Sequence, residues 1–203
     1  ERNYFKVMGV FQAEKLDYNY LLASRQNFQY DGYEDLMHGD ATTAGNSSNR
    51  YELAQLSYVY RVNYSYDNRY LIELNGRYDG TSRFMKDQRW NFFPSFSLGW
   101  NVARENFWKP LESVVNQFKL RGSWGELGNQ NTSNLYPFYE ILPVKSNSGN
   151  WLVNGGKTNT ADIPSLVSTL LTWERVRSFN VGFDFGAFSN RLTGSFDYFV
   201  RKT

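Results

Sequence analysis

Hydrophobic and polar residues alternate along most of this chain. Within residues 51–66, every second position from Ala54 onward is apolar or aromatic, and the positions between them are mostly polar. The apolar set is Ala54, Leu56, Tyr58, Tyr60, Val62, Tyr64 and Tyr66. A period of two is the signature of a β-strand whose two faces meet different surroundings. The turn Asp67-Asn68 then leads into 69–79, which repeats the alternation, so the pattern predicts a β-hairpin.

The same alternation predicts an all-β chain of about seven strands. Their approximate ranges are 4–15, 51–66, 69–79, 95–102, 118–124, 178–185 and 192–201. Apart from the strand-end residues Lys15 and Glu52, their apolar faces carry no charged residue, and aromatic side chains recur near the ends of these faces. Strands of about 9–11 residues are long enough to cross a bilayer when they tilt.

The predicted connections fall into a short set and a long set. Asp67-Asn68 and about 186–190 are short, and 103–116 predicts one or two helical turns. The long connections are polar and cover roughly 16–50, 80–93 and 126–172. Short turns at one end of a sheet and long loops at the other are typical of an antiparallel transmembrane β-barrel. A soluble β-sandwich would also alternate, but it explains neither the one-sided loops nor the long strands.

Composition agrees with a barrel and excludes several other classes. The 203 residues have a net charge of +2 and no cysteine, which gives no electrostatic case for nucleic-acid binding and excludes disulfides. No apolar run is long enough for a transmembrane helix. Aromatic residues nevertheless make up 18% of a chain whose mean hydropathy is −0.60. Because only alternate residues of a barrel strand face lipid, a barrel combines these two properties.

Four stretches carry a resemblance to a known family. They are Leu56–Phe84, Arg89–Trp100, Phe118–Gln130 and Leu171–Thr203, which together cover about half of the chain in order. Taken together they resemble the SusC/RagA-type TonB-dependent outer-membrane transporters. Tyr60, where many members have glycine, and Val176, where threonine or serine is frequent, depart from the family pattern on strands.

The resemblance implies a barrel of about 22 strands in the outer membrane of a Gram-negative bacterium, with a plugged lumen. It also implies coupling to TonB, a SusD-type surface lipoprotein partner, contact with outer-membrane lipid, and a glycan or peptide cargo. Seven strands cannot close such a barrel, and open strand edges are not tolerated in lipid. We therefore expect residues 1–203 to be an interior part of a longer barrel, without the plug domain.

The sequence offers no support for catalysis, a metal or a cofactor. His38 is the only histidine and lies in a polar stretch, which favours a solvated loop over a metal site. The acidic residues Asp31, Glu34, Asp35 and Asp40 could supply oxygen ligands for calcium, but they lack EF-hand spacing. We therefore predict a protein that is not an enzyme and that needs no cofactor.

Two groups of residues are candidates for ligand contact. The predicted lumen-facing charges are Arg61, Glu73, Arg77, Lys119 and Arg121. They either touch the plug and passing substrate or pair with one another across neighbouring strands, and the second interpretation is favoured. The candidates for ligand binding in the loops are Asn129, Gln130, Asn131, Tyr136, Tyr139 and Trp151. Trp151 fits a ligand site and the membrane interface equally well, whereas Trp90 fits the aromatic girdle better.

Three functions are compatible with these features. The leading hypothesis is a segment of the barrel wall of an energy-coupled importer. The alternative is a passive outer-membrane pore, or a barrel that uses its long loops for surface binding and adhesion. A soluble glycan-binding β-sandwich is the third, and it predicts that the apolar faces are buried in a protein core.

Overall fold

Seven long strands dominate the computed structural model, which describes residues 2–29, 32 and 35–203. The long strands are β1 Asn3–Ser24, β2 Gly45–Tyr66, β3 Tyr70–Thr81, β4 Trp90–Asn101, β5 Val115–Asn129, β10 Glu174–Ala187 and β11 Leu192–Lys202. Between β5 and β10 lie four two-residue strands, β6 Val144–Lys145, β7 Leu152–Val153, β8 Gly156–Lys157 and β9 Thr160–Ala161. Short 3₁₀-helices span Leu36–His38, Ala41–Thr43, Lys86–Gln88, Val102–Arg104 and Asn106–Leu111. The predicted all-β class is confirmed.

The long strands form one sheet in which neighbours in sequence are neighbours in space. The order is β1-β2-β3-β4-β5-β10-β11, and the pairs β3–β4, β4–β5, β5–β10 and β10–β11 are antiparallel. The two short sheets pair β6 with β9 and β7 with β8. None of the helices in the described part of the chain is long and apolar enough to cross a membrane.

Contacts divide the chain into two compact units. The first comprises residues 1–12 and 56–203, and the second comprises residues 13–55. In the second unit, β1 and β2 continue further than the alternation predicts, so the connection expected over 16–50 is reduced to 25–44. The extension of β2 over 45–50 is polar on both faces and shows no alternation, whereas the extension of β1 over 16–24 continues the alternation with Leu16, Tyr18, Tyr20 and Leu22. Lys15 pairs with Glu52 at 2.9 Å, and the rings of Tyr18 and Tyr51 stack.

The strand register sorts side chains of the first unit into an apolar face and a polar face. One row across the sheet is Leu74, Phe96, Trp124, Phe179 and Val200. The adjacent row is Glu73, Ser97, Ser123, Asn180 and Phe199. Phe199 is the exception already visible in the sequence, and it is 68% exposed on the last strand of this sheet. We call the first surface the apolar face and the second the polar face.

Burial in the first unit is the reverse of that in a water-soluble protein. On the apolar face Leu74, Leu98 and Phe196 are 48%, 53% and 57% exposed, while Ser57 and Asp79 are buried. A sandwich would cover its apolar face with a second sheet, whereas this face is exposed in the structure. The soluble-sandwich hypothesis is therefore wrong, and the exposed face fits lipid as its surroundings.

The short connections lie at one end of the sheet of the first unit, which we call the turn end. Asp67 and Asn68 have φ values of 52° and 51°, as a type I′ hairpin turn requires. The connection between β4 and β5 contains two 3₁₀-helices, as the sequence predicted. The opposite end, where 82–89 and 130–173 connect the strands, is called the loop end.

Candidate functional site

The predicted lumen-facing charges lie on the polar face and make several cross-strand contacts. The Arg61 Nε donates to Asn75 Oδ1 at 2.7 Å and lies 3.9 Å from Glu73 Oε1. The Glu73 carboxylate also accepts from the side-chain amides of Asn63 and Asn75, each at 2.9 Å. Arg77 does not join this group, because its guanidinium pairs with Asp79 in its own strand at 3.2 Å. The role of the predicted lumen-facing charges in ligand contact stays a prediction.

Arg121 connects three strands. Its Nη2 donates to Asp184 Oδ1 at 2.9 Å and to Asp197 Oδ2 at 3.1 Å, on β10 and β11. All three side chains are about one-third exposed, so this ion cluster is solvated on one side. A network that reaches across three strands fixes their side chains more firmly than an isolated surface pair would.

Lys119 lies beside this cluster. It is opposite Asp184 on β10 and Asn101 on β4 in the strand register. Its alkyl chain passes over Gly99, where an added Cβ would lie 3.3 Å from Lys119 Cε. Within the described part of the chain, no carboxylate lies within ion-pair distance of its ammonium group.

A cavity of about 540 Å³ opens on the polar face next to Lys119 and Arg121. The polar residues that line it also include Asn63, Glu73 and Ser123. Two polar atoms at these walls are buried and make no hydrogen bond to any described residue: Asn63 Oδ1 and Arg121 Nε. Both atoms are almost inaccessible, so they lie behind the surface of the cavity rather than on it.

The loop candidates do not form a single site. Asn129 Nδ2 donates to Glu174 Oε2 at 2.7 Å, and Asn129 Oδ1 accepts from the backbone N–H of Asn131 at 3.0 Å, so these residues close the end of the β5–β10 pair. Gln130 lies between them in sequence. Tyr136 and Tyr139 are together, with ring centroids 6.0 Å apart.

The ring contacts that join Tyr136 and Tyr139 among the described residues do not include Trp151. It directly precedes β7 and is 61% exposed. Tyr136 also reaches toward β3, because its hydroxyl is 3.4 Å from Ser82 Oγ. Among the predicted ligand-binding residues of the loop, Tyr136 thus contacts the end of the sheet, together with Tyr139 that packs on it, whereas Trp151 is exposed.

A cluster that the sequence did not predict holds the loop end together. Phe84, Phe93 and Trp173 are 1%, 3% and 5% exposed and pack ring against ring. The Trp173 Nε1 donates to the carbonyl oxygen of Arg89 at 2.9 Å, and Thr172 Oγ1 donates to that of Gln88 at 3.0 Å. The sequence signal was the Trp-Glu pair within the family-like stretch, but its buried position could not be read there.

Glu126 adds a buried ion cluster to the same end. Its side chain is 7% exposed and accepts from Arg175 Nη1 at 2.9 Å and from Arg177 Nε at 2.8 Å. The Arg175 guanidinium also lies 6.0 Å from the centroid of the Phe93 ring. The sequence predicts residues 126–129 as part of the loop, whereas they belong to β5, so the pattern gives no sign of this buried carboxylate.

Aromatic side chains line the apolar face near both ends. Trp90 stacks on Tyr78 at 5.0 Å and on Tyr58 at 6.2 Å, which is the placement that a girdle residue would have. At the turn end, Tyr70 Oη and Trp100 Nε1 donate to Glu105 Oε1 at 2.7 and 3.2 Å. The hydrogen bond from Tyr70 has the largest effect on the Glu105 carboxyl, followed by the one from Trp100. Together with the positive charge of Arg69, they lower the pKa of Glu105 below its ordinary value.

The acidic stretch around His38 folds as a pair of capped turns. Asp35 accepts from the backbone N–H of Met37. Asp40 Oδ1 accepts from the backbone and hydroxyl of Thr42 at 2.9 and 2.7 Å, which lowers the pKa of Asp40. The other two calcium candidates, Asp31 and Glu34, lie outside the described residues. Within the described residues, no group of three or more histidine or acidic side chains could hold a metal ion.

Comparison with known proteins identifies the family to which this chain belongs. The family described as "TonB dependent receptor-like, beta-barrel" matches residues 3–203. The TonB-dependent receptor SusC of Bacteroides thetaiotaomicron is 38% identical over 73% of this chain, which covers 15% of SusC. TonB-dependent receptor P3 of Formosa agariphila is 33% identical over 97% of this chain, which covers 19% of that receptor. This chain thus spans less than a fifth of the length of these curated relatives.

A solved structure has the same fold. The RagAB peptide transporter superposes with a TM-score of 0.84 over 99% of this chain, which covers 22% of the transporter chain, at 24% sequence identity. The strand arrangement of this chain is therefore that of one part of a larger barrel wall.

Proposed function

Because this chain belongs to the TonB-dependent receptor-like β-barrel family, we propose that it forms part of the barrel wall of an energy-coupled nutrient importer in the outer membrane of a Gram-negative bacterium. The single observation that carries the proposal is the reversed burial of the sheet, with apolar rows exposed and charged rows on the opposite face. The apolar face contacts outer-membrane lipid, and the polar face borders the lumen.

The partners follow from the family and its named relatives. TonB would supply the force for import, and a SusD-type lipoprotein would meet the barrel on the outside. Glycans and peptides are the two cargo classes that the resemblance implies, and RagAB, whose structure is similar, is described as a peptide transporter. Tyr136 and Tyr139 at the loop end offer ring faces and hydroxyl groups that either cargo could use.

Uptake by the full-length protein in its own host tests this proposal. Labelled oligosaccharides and oligopeptides would be offered to cells with TonB and to cells that lack it. We expect uptake of one cargo class that disappears without TonB, while the protein remains in the outer membrane. Uptake that continues unchanged without TonB would contradict energy coupling and favour the passive pore. No uptake of either class, with loop-dependent attachment to surfaces, would favour the adhesion barrel.

A further inference from the structure

The apolar face has a different border at each end of β5, β10 and β11. Near the turn end it carries an uncharged row of Phe118, Phe185 and Gly194. Near the loop end the last apolar row is Trp124, Phe179 and Val200. Two positions farther along the strands, about 7 Å away on the same face, the next row is Glu126, Arg177 and Lys202. Charged side chains therefore stand directly at the loop-end border of the apolar face.

This charged row has an excess of positive charge. Arg177 and Lys202 are directly opposite each other on neighbouring strands, where like charges repel. The Glu126 carboxylate accepts from Arg177 Nε at 2.8 Å, but it also accepts from Arg175 Nη1 at 2.9 Å. One carboxylate thus serves three cations, which leaves an excess of two positive charges at this border.

Two of the three cations have donors to spare. Arg175 is engaged on both sides, by Glu126 and by the side-chain oxygen of Asn91. Arg177 uses only its Nε, and its side chain is 61% exposed, so its two Nη groups face solvent without a partner among the described residues. Lys202 is also exposed and forms no ion pair within the described part of the chain.

These donors match an anion at the boundary between an apolar phase and water. A guanidinium donates paired hydrogen bonds to a phosphate group, and an ammonium adds a compact positive charge beside it. The long stems of arginine and lysine can lie on apolar surface while their charged ends stay in the polar layer. Where a bilayer covers the apolar face, the anion at this boundary is the phosphate of a lipid headgroup.

We propose that Arg177 and Lys202 bind the phosphate group of a lipid in the outer leaflet of the outer membrane. The inference rests on the proposed function, because it takes the apolar face as the lipid contact and the loop end as the cell-surface side. The acyl chains of the same lipid lie along the adjacent row at Phe179 and Val200. Glu126 does not touch the lipid but holds the Arg177 guanidinium at the border.

The test measures lipid binding by the full-length protein in a nonionic detergent. Fluorescently labelled lipid A, a glycolipid that carries phosphate on its sugars, is titrated into the protein. The same lipid without its phosphates is the control for contacts of the acyl chains, and inorganic phosphate is the competitor. We expect the phosphorylated lipid to bind about 25-fold more tightly, at roughly fivefold for each cation, and we expect added salt to reduce this preference.

Variants locate the binding on the charged row. Arg177→Gln and Lys202→Gln should each weaken binding of the phosphorylated lipid about fivefold. Arg177→Lys keeps the charge without the paired donors and should lose less. Arg201→Gln is the matched control, because Arg201 is next to Lys202 in sequence but opposite Ser178 on the polar face, and it should leave binding unchanged. Heat-dependent gel migration would verify that each variant is folded.

Three results would overturn the inference. Equal affinity for the lipid with and without phosphates would show that the row does not recognise phosphate. An equal loss in Arg201→Gln and Lys202→Gln would assign the effect to overall charge rather than to the apolar face. Displacement of the lipid by inorganic phosphate at equal concentration would assign the site to free phosphate. Failure of the proposed function is distinguishable, because TonB-dependent uptake is measured in cells and would be absent even where phosphate-dependent lipid binding in detergent remains.

Discussion

The two ends of the sheet in the first unit are stabilised by different contacts. At the turn end, Glu105 accepts hydrogen bonds from Tyr70 and Trp100 on the apolar face. At the loop end, Trp173 and its aromatic partners form a small core, with the buried Glu126 nearby. The short turns have few residues with which to bury apolar side chains, whereas the long loop returns a tryptophan to the sheet. The long loop thus adds a buried tryptophan to its end of the sheet, whereas at the turn end the carboxylate of Glu105 joins two side chains by hydrogen bonds.

The largest expected effect is at the loop end. Trp173→Ala removes a ring that is 5% exposed together with its hydrogen bond to Arg89, and loss of a buried tryptophan lowers the free energy of unfolding by about 3–5 kcal/mol. Urea unfolding of the detergent-solubilised full-length protein measures this change. Limited proteolysis should also become faster within 130–172.

Two further variants serve as controls for the tryptophan cluster. Trp151→Ala removes a ring of the same kind that is 61% exposed, and it should leave stability unchanged. Trp173→Phe keeps the ring packing without the hydrogen bond and should give an intermediate loss. If Trp173→Ala and Trp151→Ala behave alike, the cluster does not hold the loop end.

An intermediate effect is expected for the buried carboxylate of the loop end. Glu126→Gln keeps the size of the side chain but removes the charge between Arg175 and Arg177. Because both guanidinium groups are partly in solvent, we expect a loss of about 1–3 kcal/mol rather than the full value of a buried pair. The same urea experiment measures it, with Glu174→Gln as the control on a more exposed carboxylate. A loss no larger than that of the control would mean that burial of Glu126 is unimportant.

The smallest effect is expected at the turn end, and it depends on pH. The pKa of Glu105 is lower in the folded protein than in the unfolded chain, so its charged form stabilises the fold. That contribution is complete above the unfolded-state pKa and is lost as the pH falls through the folded-state pKa. We expect Glu105→Gln to lower the Tm at neutral pH, and we expect the difference from wild type to vanish in acid. A difference in Tm that is constant over this pH range would assign the effect to shape rather than charge.

Alternation predicted the strands and their faces because each side of the sheet meets one kind of surroundings. It gave no signal where both faces carry polar side chains, as in the extension of β2 over 45–50. It also missed Trp173, because a residue that ends a long loop finds Phe84 only after the chain returns to the sheet. The sequence favours pairing of Arg77 across neighbouring strands, whereas in the structure it pairs with Asp79, two residues along the same face of its own strand.

The apolar rows of the sheet have a consequence for the chain before it reaches a membrane. In the unfolded polypeptide the apolar residues of each strand alternate with polar neighbours, so the chain presents no continuous apolar segment to water. Hydrophobic collapse in an aqueous compartment is correspondingly weak, and the apolar surface becomes continuous only when neighbouring strands pair. Strand pairing and entry into lipid therefore have to occur together, which makes the bilayer a participant in folding as well as the final solvent.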